Sequence, residues 1–140
     1  MNLLYNKPLV IILIMTIFVI ISLVLLCINQ DNLYALQENY VEDLTNLILI
    51  SINNGEYSTL KEISENDDVK YKIIEESKRI SKISDISNEM GYKIKGIIYN
   101  KDIYYVEVET TSSIDGFLTY FMEFTKKEDR LLLHKFLIDK

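Results

Sequence analysis

His134 is the only histidine in the chain, so an imidazole general base would have to be this residue. With no nucleophile or fixed carboxylate beside it in sequence, it reads as structural. A Glu–His contact buried in the fold would be the mark of an enzyme. Glu107 and Glu109 stand two apart and share one face of a strand, where paired carboxylates can divide acid and base roles once burial separates their pKa values. Their alternation with Val106 and Val108 places them in water instead. The acidic pairs Asp67-Asp68 and Glu75-Glu76 lack the glycine-turn spacing of a calcium loop. Cys27 is the only cysteine and sits in an apolar run, which excludes an intramolecular disulfide and a cysteine-based zinc site. Ser77, Ser81, Ser84 and Ser87 read as polar filler on a helix. A Gly-rich phosphate loop, a Gly-x-Ser-x-Gly elbow and a Cys–His pair are all missing. The sequence therefore points to no catalytic residue, no metal and no cofactor, and a non-enzymatic role is expected.

The tyrosines carry a different signal. Tyr92, Tyr99, Tyr104, Tyr105 and Tyr120 fall in the strand-forming half of the chain, and tyrosine is enriched both in strands and at protein interfaces. The candidate interface or pocket residues are Tyr104, Tyr105, Tyr120, Phe121 and Leu133. An apolar pocket lined by Tyr104, Phe121 and Leu133 and open to solvent would indicate a small-ligand binder. A filled core with an exposed apolar sheet face would indicate a protein-binding domain.

The elements that must position these residues follow from hydrophobic period. The 140 residues suffice for one domain and an anchor. A net charge of -6 argues against a nucleic-acid binder, which needs a basic patch to neutralise phosphates. A single proline and no tryptophan, with abundant Ile, Asn, Lys and Tyr, resemble the composition of AT-rich bacteria such as Firmicutes. Residues 9–28 read LVIILIMTIFVIISLVLLCI, and about 20 residues at 1.5 Å rise cross a hydrocarbon core about 30 Å thick. Lys7 precedes this run, and Asp31, Glu38, Glu42 and Asp43 follow it. The positive-inside rule then gives a cytoplasmic tail (1–8), a membrane helix in contact with lipid (9–28) and an extracytoplasmic domain (29–140). A cleaved signal peptide would have a shorter apolar region and a small-x-small site, and a lipoprotein box at Cys27 would not have Leu26 before the cysteine.

Beyond the anchor, Leu33, Leu36, Tyr40, Leu44, Leu47 or Ile48, and Ile52 keep the three-and-four spacing of an amphipathic helix, which should stop at Asn53-Asn54-Gly55. A short helix over 57–64 follows, with Ser58 suited to its N-cap. A third runs from Asn66-Asp67-Asp68 through Val69, Ile73, Ile80, Ile83, Ile86 or Ser87 and Met90 to Gly91, with Glu75 and Arg79 paired on its solvent side. The period then changes to two. Strands are predicted over 92–99, 103–111, 117–125 and 131–138, separated by the turns 100–102, 112–116 and 126–129. Short connections imply an antiparallel meander. The fold class is α+β: a membrane helix, then about three helices packed on a curved four-stranded sheet. The third and fourth strands are apolar on both faces over part of their length, so one face should meet the helices and the other a partner or a pocket.

The run Asn53-Asn54-Gly55-Glu56-Tyr57-Ser58-Thr59-Leu60, between two helices, resembles the helix, Gly-Asp-Tyr, helix opening of nuclear-transport-factor-like, or cystatin-like, domains of bacterial envelope proteins. The closing strand after Lys126-Lys127-Glu128-Asp129 is similar as well, and the resemblance spans about residues 33–140. It implies a curved sheet wrapping a long helix into a cone whose mouth binds a small molecule, holds an active site or is simply packed. The order of elements also resembles the bitopic assembly factors of type IV secretion and conjugation systems, whose domains oligomerise outside the membrane. That resemblance implies a protein partner or a homo-oligomer in an envelope or transfer complex. A small-ligand-binding cone, a sensor or accessory protein, is the alternative.

Overall fold

No glycine or proline interrupts the chain between residues 9 and 54, and in the computed structural model a single helix, α1 (Lys7–Asn54), occupies this stretch. The structure describes residues 7–84, 91–112 and 116–139. Residues 1–6 of the expected tail, the proposed helical positions Ile86, Ser87 and Met90, and turn residues 113–115 lie outside that set. The chain divides into two units, Met1–Gln37 and Glu38–Lys140. In the first, α1 is long and apolar enough to cross a membrane, with a mean hydropathy of 3.4 over its most apolar window. Its few hydroxyls turn back on the helix. Thr16 Oγ1 donates to the Ile12 carbonyl at 2.8 Å and Ser22 Oγ to the Phe18 carbonyl at 2.9 Å, which leaves an apolar outer surface.

In the second unit, residues 38–54 of α1 bury Val41, Leu44, Ile48, Leu49 and Ile52. Of the expected stripe, Leu44, Ile48 and Ile52 are buried, whereas Leu36 and Tyr40 are exposed, and Val41 is buried in place of Tyr40. The segment is apolar around so much of its circumference that period alone does not say which arc meets the core. The helix ends as expected: Gly55 has φ +70° and the Glu56 N–H donates to the Ser51 carbonyl at 2.9 Å, the closure that satisfies a terminal carbonyl. Helix α2 (Tyr57–Ile63) starts two residues too early for Ser58 to cap it, and its N-cap is Glu56, without a side-chain cap bond. Helix α3 (Asp67–Ser84) is capped by Asn66, whose Oδ1 accepts from the Val69 N–H at 3.0 Å. Asp67 and Asp68 occupy its first turn, where the helix dipole favours negative charge.

Strands β1 (Gly91–Asn100), β2 (Ile103–Ser112), β3 (Gly116–Lys127) and β4 (Arg130–Asp139) pair as an antiparallel meander in the order β1-β2-β3-β4. Lys101 (φ 49°) and Asp102 (φ 67°) make the first tight turn, with the left-handed dihedrals that match strand twist. One face of the curved sheet packs on the helices. Tyr104, Val106 and Val108 of β2, with Tyr120, Met122 and Phe124 of β3, meet Leu133 and Phe136 of β4 and the buried residues of α1, α2 and α3. Two irregularities shift the register, between Ile94 and Gly96 in β1 and opposite Glu123 and Phe124 in β4. Each inserts an extra residue, Lys95 and His134, which bends the strand and increases its twist. The β4 irregularity explains why Leu133 and Phe136, three apart, are both buried. Edge strand β4 is partly covered by the α2–α3 connection, where Ser64 bridges to Leu133 and the Glu65 N–H donates to the Leu133 carbonyl at 2.9 Å.

Candidate functional site

Strand alternation divides the five candidate residues between two faces. Tyr104, Tyr120 and Leu133 are buried among the helices, whereas Tyr105 and Phe121 are on the opposite, open face, each 38% exposed. Tyr104, Phe121 and Leu133 therefore do not line one pocket. Leu133 pairs with Phe124, one pleat away from the open side, and Tyr104 stacks on Tyr99 with ring centroids 4.7 Å apart. The structure brings Tyr105 and Phe121 together with Ile98 and Leu137, which sequence reading did not select. These four, one from each strand, line a shallow hollow of about 570 Å³ with Lys95 and Glu107. The charged groups bordering it carry both signs, and two of them are paired: Lys95 Nζ is 3.1 Å from Glu109, and Glu123 is 2.9 Å from Lys135 Nζ. Phe117 extends the apolar surface of β3 and is 73% exposed.

The helix-side face holds a polar network that the charge pattern concealed. Glu76 is 4% exposed and receives two bonds from Arg79, Nε to Oε2 at 2.8 Å and Nη2 to Oε1 at 2.6 Å. The fully buried Tyr120 hydroxyl donates to the same Oε1 at 2.5 Å. Burial, reinforced by the bond to Glu76, pushes the Tyr120 phenol far above its ordinary range, so this proton stays in place. The expected Glu75–Arg79 pair is corrected: Glu75 binds Lys78 at 2.8 Å, and Arg79 turns to Glu76. Ser77 is likewise no filler, since it is fully buried and its Oγ donates to the Ile52 carbonyl at 2.7 Å. The available signal was spacing. Val69, Ile73, Glu76 and Ile80 run four, three and four apart, which sets Glu76 on the buried stripe.

His134 has a carboxylate partner after all, brought from 69 residues away. Its Nδ1 lies 2.7 Å from Glu65 Oε2, which also accepts from Thr125 Oγ1 at 2.9 Å. The pair is at the surface, with the His134 side chain 47% exposed, so it is not the buried contact that would mark an enzyme. Thr125 donates to the carboxylate and not to the imidazole, so His134 does not activate this hydroxyl for attack. Among the described residues no group of three His, Cys, Asp or Glu could hold a metal. The bond to His134 is the main cause that holds the Glu65 carboxyl below its ordinary 4.5. A carboxyl depressed in the folded state contributes stability above its unfolded value and loses it as pH falls through the folded value. The urea midpoint should therefore fall as pH drops below about 4.5, and Glu65→Gln should flatten that acid slope. An unchanged slope in the variant would show that other carboxyls carry it.

Three helices on a curved antiparallel meander, with the interior filled by side chains, define an NTF2-like α+β fold. Two solved structures share it. One, from Campylobacter jejuni and provisionally named an NTF2-like transpeptidase, has a TM-score of 0.54 at 15% identity, over 67% of this chain and 96% of its own. The other, a DUF4783 family protein from Bacteroides ovatus, has a TM-score of 0.50 at 14% identity, over 66% of this chain and 91% of its own. At such identities the likeness is one of fold. No protein-family model matches the sequence, and no curated protein matches it significantly.

Proposed function

We propose that this chain is a membrane-anchored, non-enzymatic interaction domain on the outer side of the cytoplasmic membrane, working through a protein partner that docks on the open face of the sheet. The carrying observation is the apolar band of Ile98, Tyr105, Phe121 and Leu137 on a sheet whose other face is a filled core. An aromatic and aliphatic centre with a charged border is the composition of a protein contact surface. The partner's matching patch is apolar at its centre, with charges of either sign at its edge. The resemblance to bitopic assembly factors supports placing that partner in an envelope complex, conjugative transfer machinery among them. The positive-inside pattern supports the orientation. The transpeptidase name of one neighbour is not carried over: the Glu65–His134 pair is exposed, and neither residue lines the hollow on the open face of the sheet.

The test is purification from native membranes in mild detergent with crosslinking, followed by mass spectrometry. The wild-type chain should bring down specific envelope proteins, and Phe121→Lys should lose them while the fold persists. A chain recovered alone, or partners indifferent to Phe121→Lys, would sink the reading. A second reading, a small-ligand-binding cone, is favoured by one observation: a hollow of about 520 Å³ between α3 and β4, with Glu76 and Arg79 in its lining beside Tyr71, Phe136 and Ile138. Ligand screening by thermal shift addresses it.

A further inference from the structure

The apolar band on the open face of the sheet is broken at one position, by a carboxylate without a counter-charge. Glu107 is exposed, and it pairs in register with Gly96 of β1 and Phe121 of β3. Strand alternation therefore sets it in the same row as Phe121, two residues along β2 from Tyr105, and all three line the hollow of about 570 Å³. Its acidic neighbours are engaged: Glu109 holds Lys95 Nζ at 3.1 Å and Glu123 holds Lys135 Nζ at 2.9 Å. Among the described residues no hydrogen bond or ion pair reaches Glu107. Lys95 is the only cationic residue among those lining the hollow, and Lys93, in register with Glu109, does not line it. The space beside the carboxylate is open, because a Cβ built on Gly96 would meet no heavy atom within 4 Å.

We infer, on the reading that a protein docks on this face, that Glu107 receives a lysine or arginine side chain of that partner, seated beside Tyr105 and Phe121 in the space left by Gly96. Desolvation requires it. A surface that covers Tyr105, Phe121, Ile98 and Leu137 also takes water from the carboxylate between them. Stripped of water without a counter-charge, a carboxylate opposes docking, whereas a matched cation turns the same group into an attractive contact. This chain cannot neutralise Glu107 at no cost, since Lys95 would have to release Glu109, which moves the unpaired charge along β2 without removing it. Aromatic rings add to the attraction of an ammonium or guanidinium group. The aliphatic stem of such a side chain also lies well on Phe121 and Ile98 while its head meets the acid. Within an otherwise apolar patch, the partner thus carries one basic residue at a defined point.

The test is crosslinking of the full chain in native membranes, with the partner identified and its yield measured by mass spectrometry for each variant at equal expression. Glu107→Gln should lower the yield by about tenfold or more, Glu107→Lys should abolish it, and Lys95→Met should leave it no weaker. Because Glu107 is exposed, the variants should melt with the wild type by circular dichroism, which separates lost docking from lost fold. Exchanging for Glu the partner's Lys or Arg that maps to this face should restore capture by Glu107→Lys. A Glu107→Gln yield equal to or above that of the wild type, with Phe121→Lys still losing the partner, overturns the inference alone, because removing an uncompensated carboxylate can only help an apolar contact. Capture indifferent to Phe121→Lys overturns the docking reading with it. A Lys95→Met loss as deep as that of Glu107→Gln would assign the counter-charge to this chain's own lysine, and links from this face to a second copy alone would assign it to self-association. Either result overturns the inference.

Discussion

Glu76→Ala should destabilise the domain by about 2–3 kcal/mol, with Glu76→Gln recovering part of the loss and Tyr120→Phe costing only about 1 kcal/mol. The order follows from who loses a partner. Without the carboxylate, the Tyr120 hydroxyl is left fully buried with no acceptor at Glu76, and the Arg79 guanidinium loses both of its bonds to that side chain. Breaking a fully buried pair costs about 3–5 kcal/mol. Here the Arg79 side chain is 30% exposed and can partly rehydrate, which lowers the figure. Glutamine keeps an acceptor for the phenol but not the charge. Removing the Tyr120 hydroxyl instead leaves Glu76 held by Arg79, so the buried carboxylate keeps its charged partner. Chemical denaturation followed by circular dichroism ranks the three variants, and a Tyr120→Phe loss as large as that of Glu76→Ala would refute this account of the network.

Phe124→Ala should cost about 3–5 kcal/mol, a large part of the roughly 5–15 kcal/mol that holds an ordinary domain together. Phe121→Ala, three residues earlier in the same strand, should cost less than about 1 kcal/mol. Phe124 is fully buried against the helices, so its removal leaves a cavity in a close-packed interior. Phe121 faces outward and is already 38% exposed. Equal effects in a denaturation experiment would mean that the strand's two faces are not differently packed.

Much of this architecture was legible beforehand, because alternation and turn chemistry are local. Val106 and Val108 against Glu107 and Glu109 marked the faces of β2, Lys101-Asp102 marked a tight turn, and Gly55 marked the end of α1. What escaped was set by tertiary contact. The rotation of α1, which buries Val41 in place of Tyr40, depends on which of two apolar arcs the sheet covers. Glu76 looked like one more charge on a solvated face until Tyr120, 44 residues on, supplied a donor. The extra residue at His134 reverses strand parity within β4, so simple alternation from Leu131 assigns the later residues to the wrong side. For the candidate site, residue type selected Tyr105 and Phe121. It missed Ile98 and Leu137, whose contribution comes from cross-strand placement on the open face.

The connection order of the sheet also bears on how the domain forms. Each strand pairs with its neighbour in sequence through a short turn, so the three hairpins can close early at little loop-closure cost. The bridge from Ser64 to Leu133 and the Glu65 bond to His134 span nearly seventy residues, and they tie the helical layer to the last strand. In kinetic terms these are late contacts. Substitutions in the β2–β3 hairpin would then slow folding, whereas loosening the Glu65 clasp would chiefly hasten unfolding.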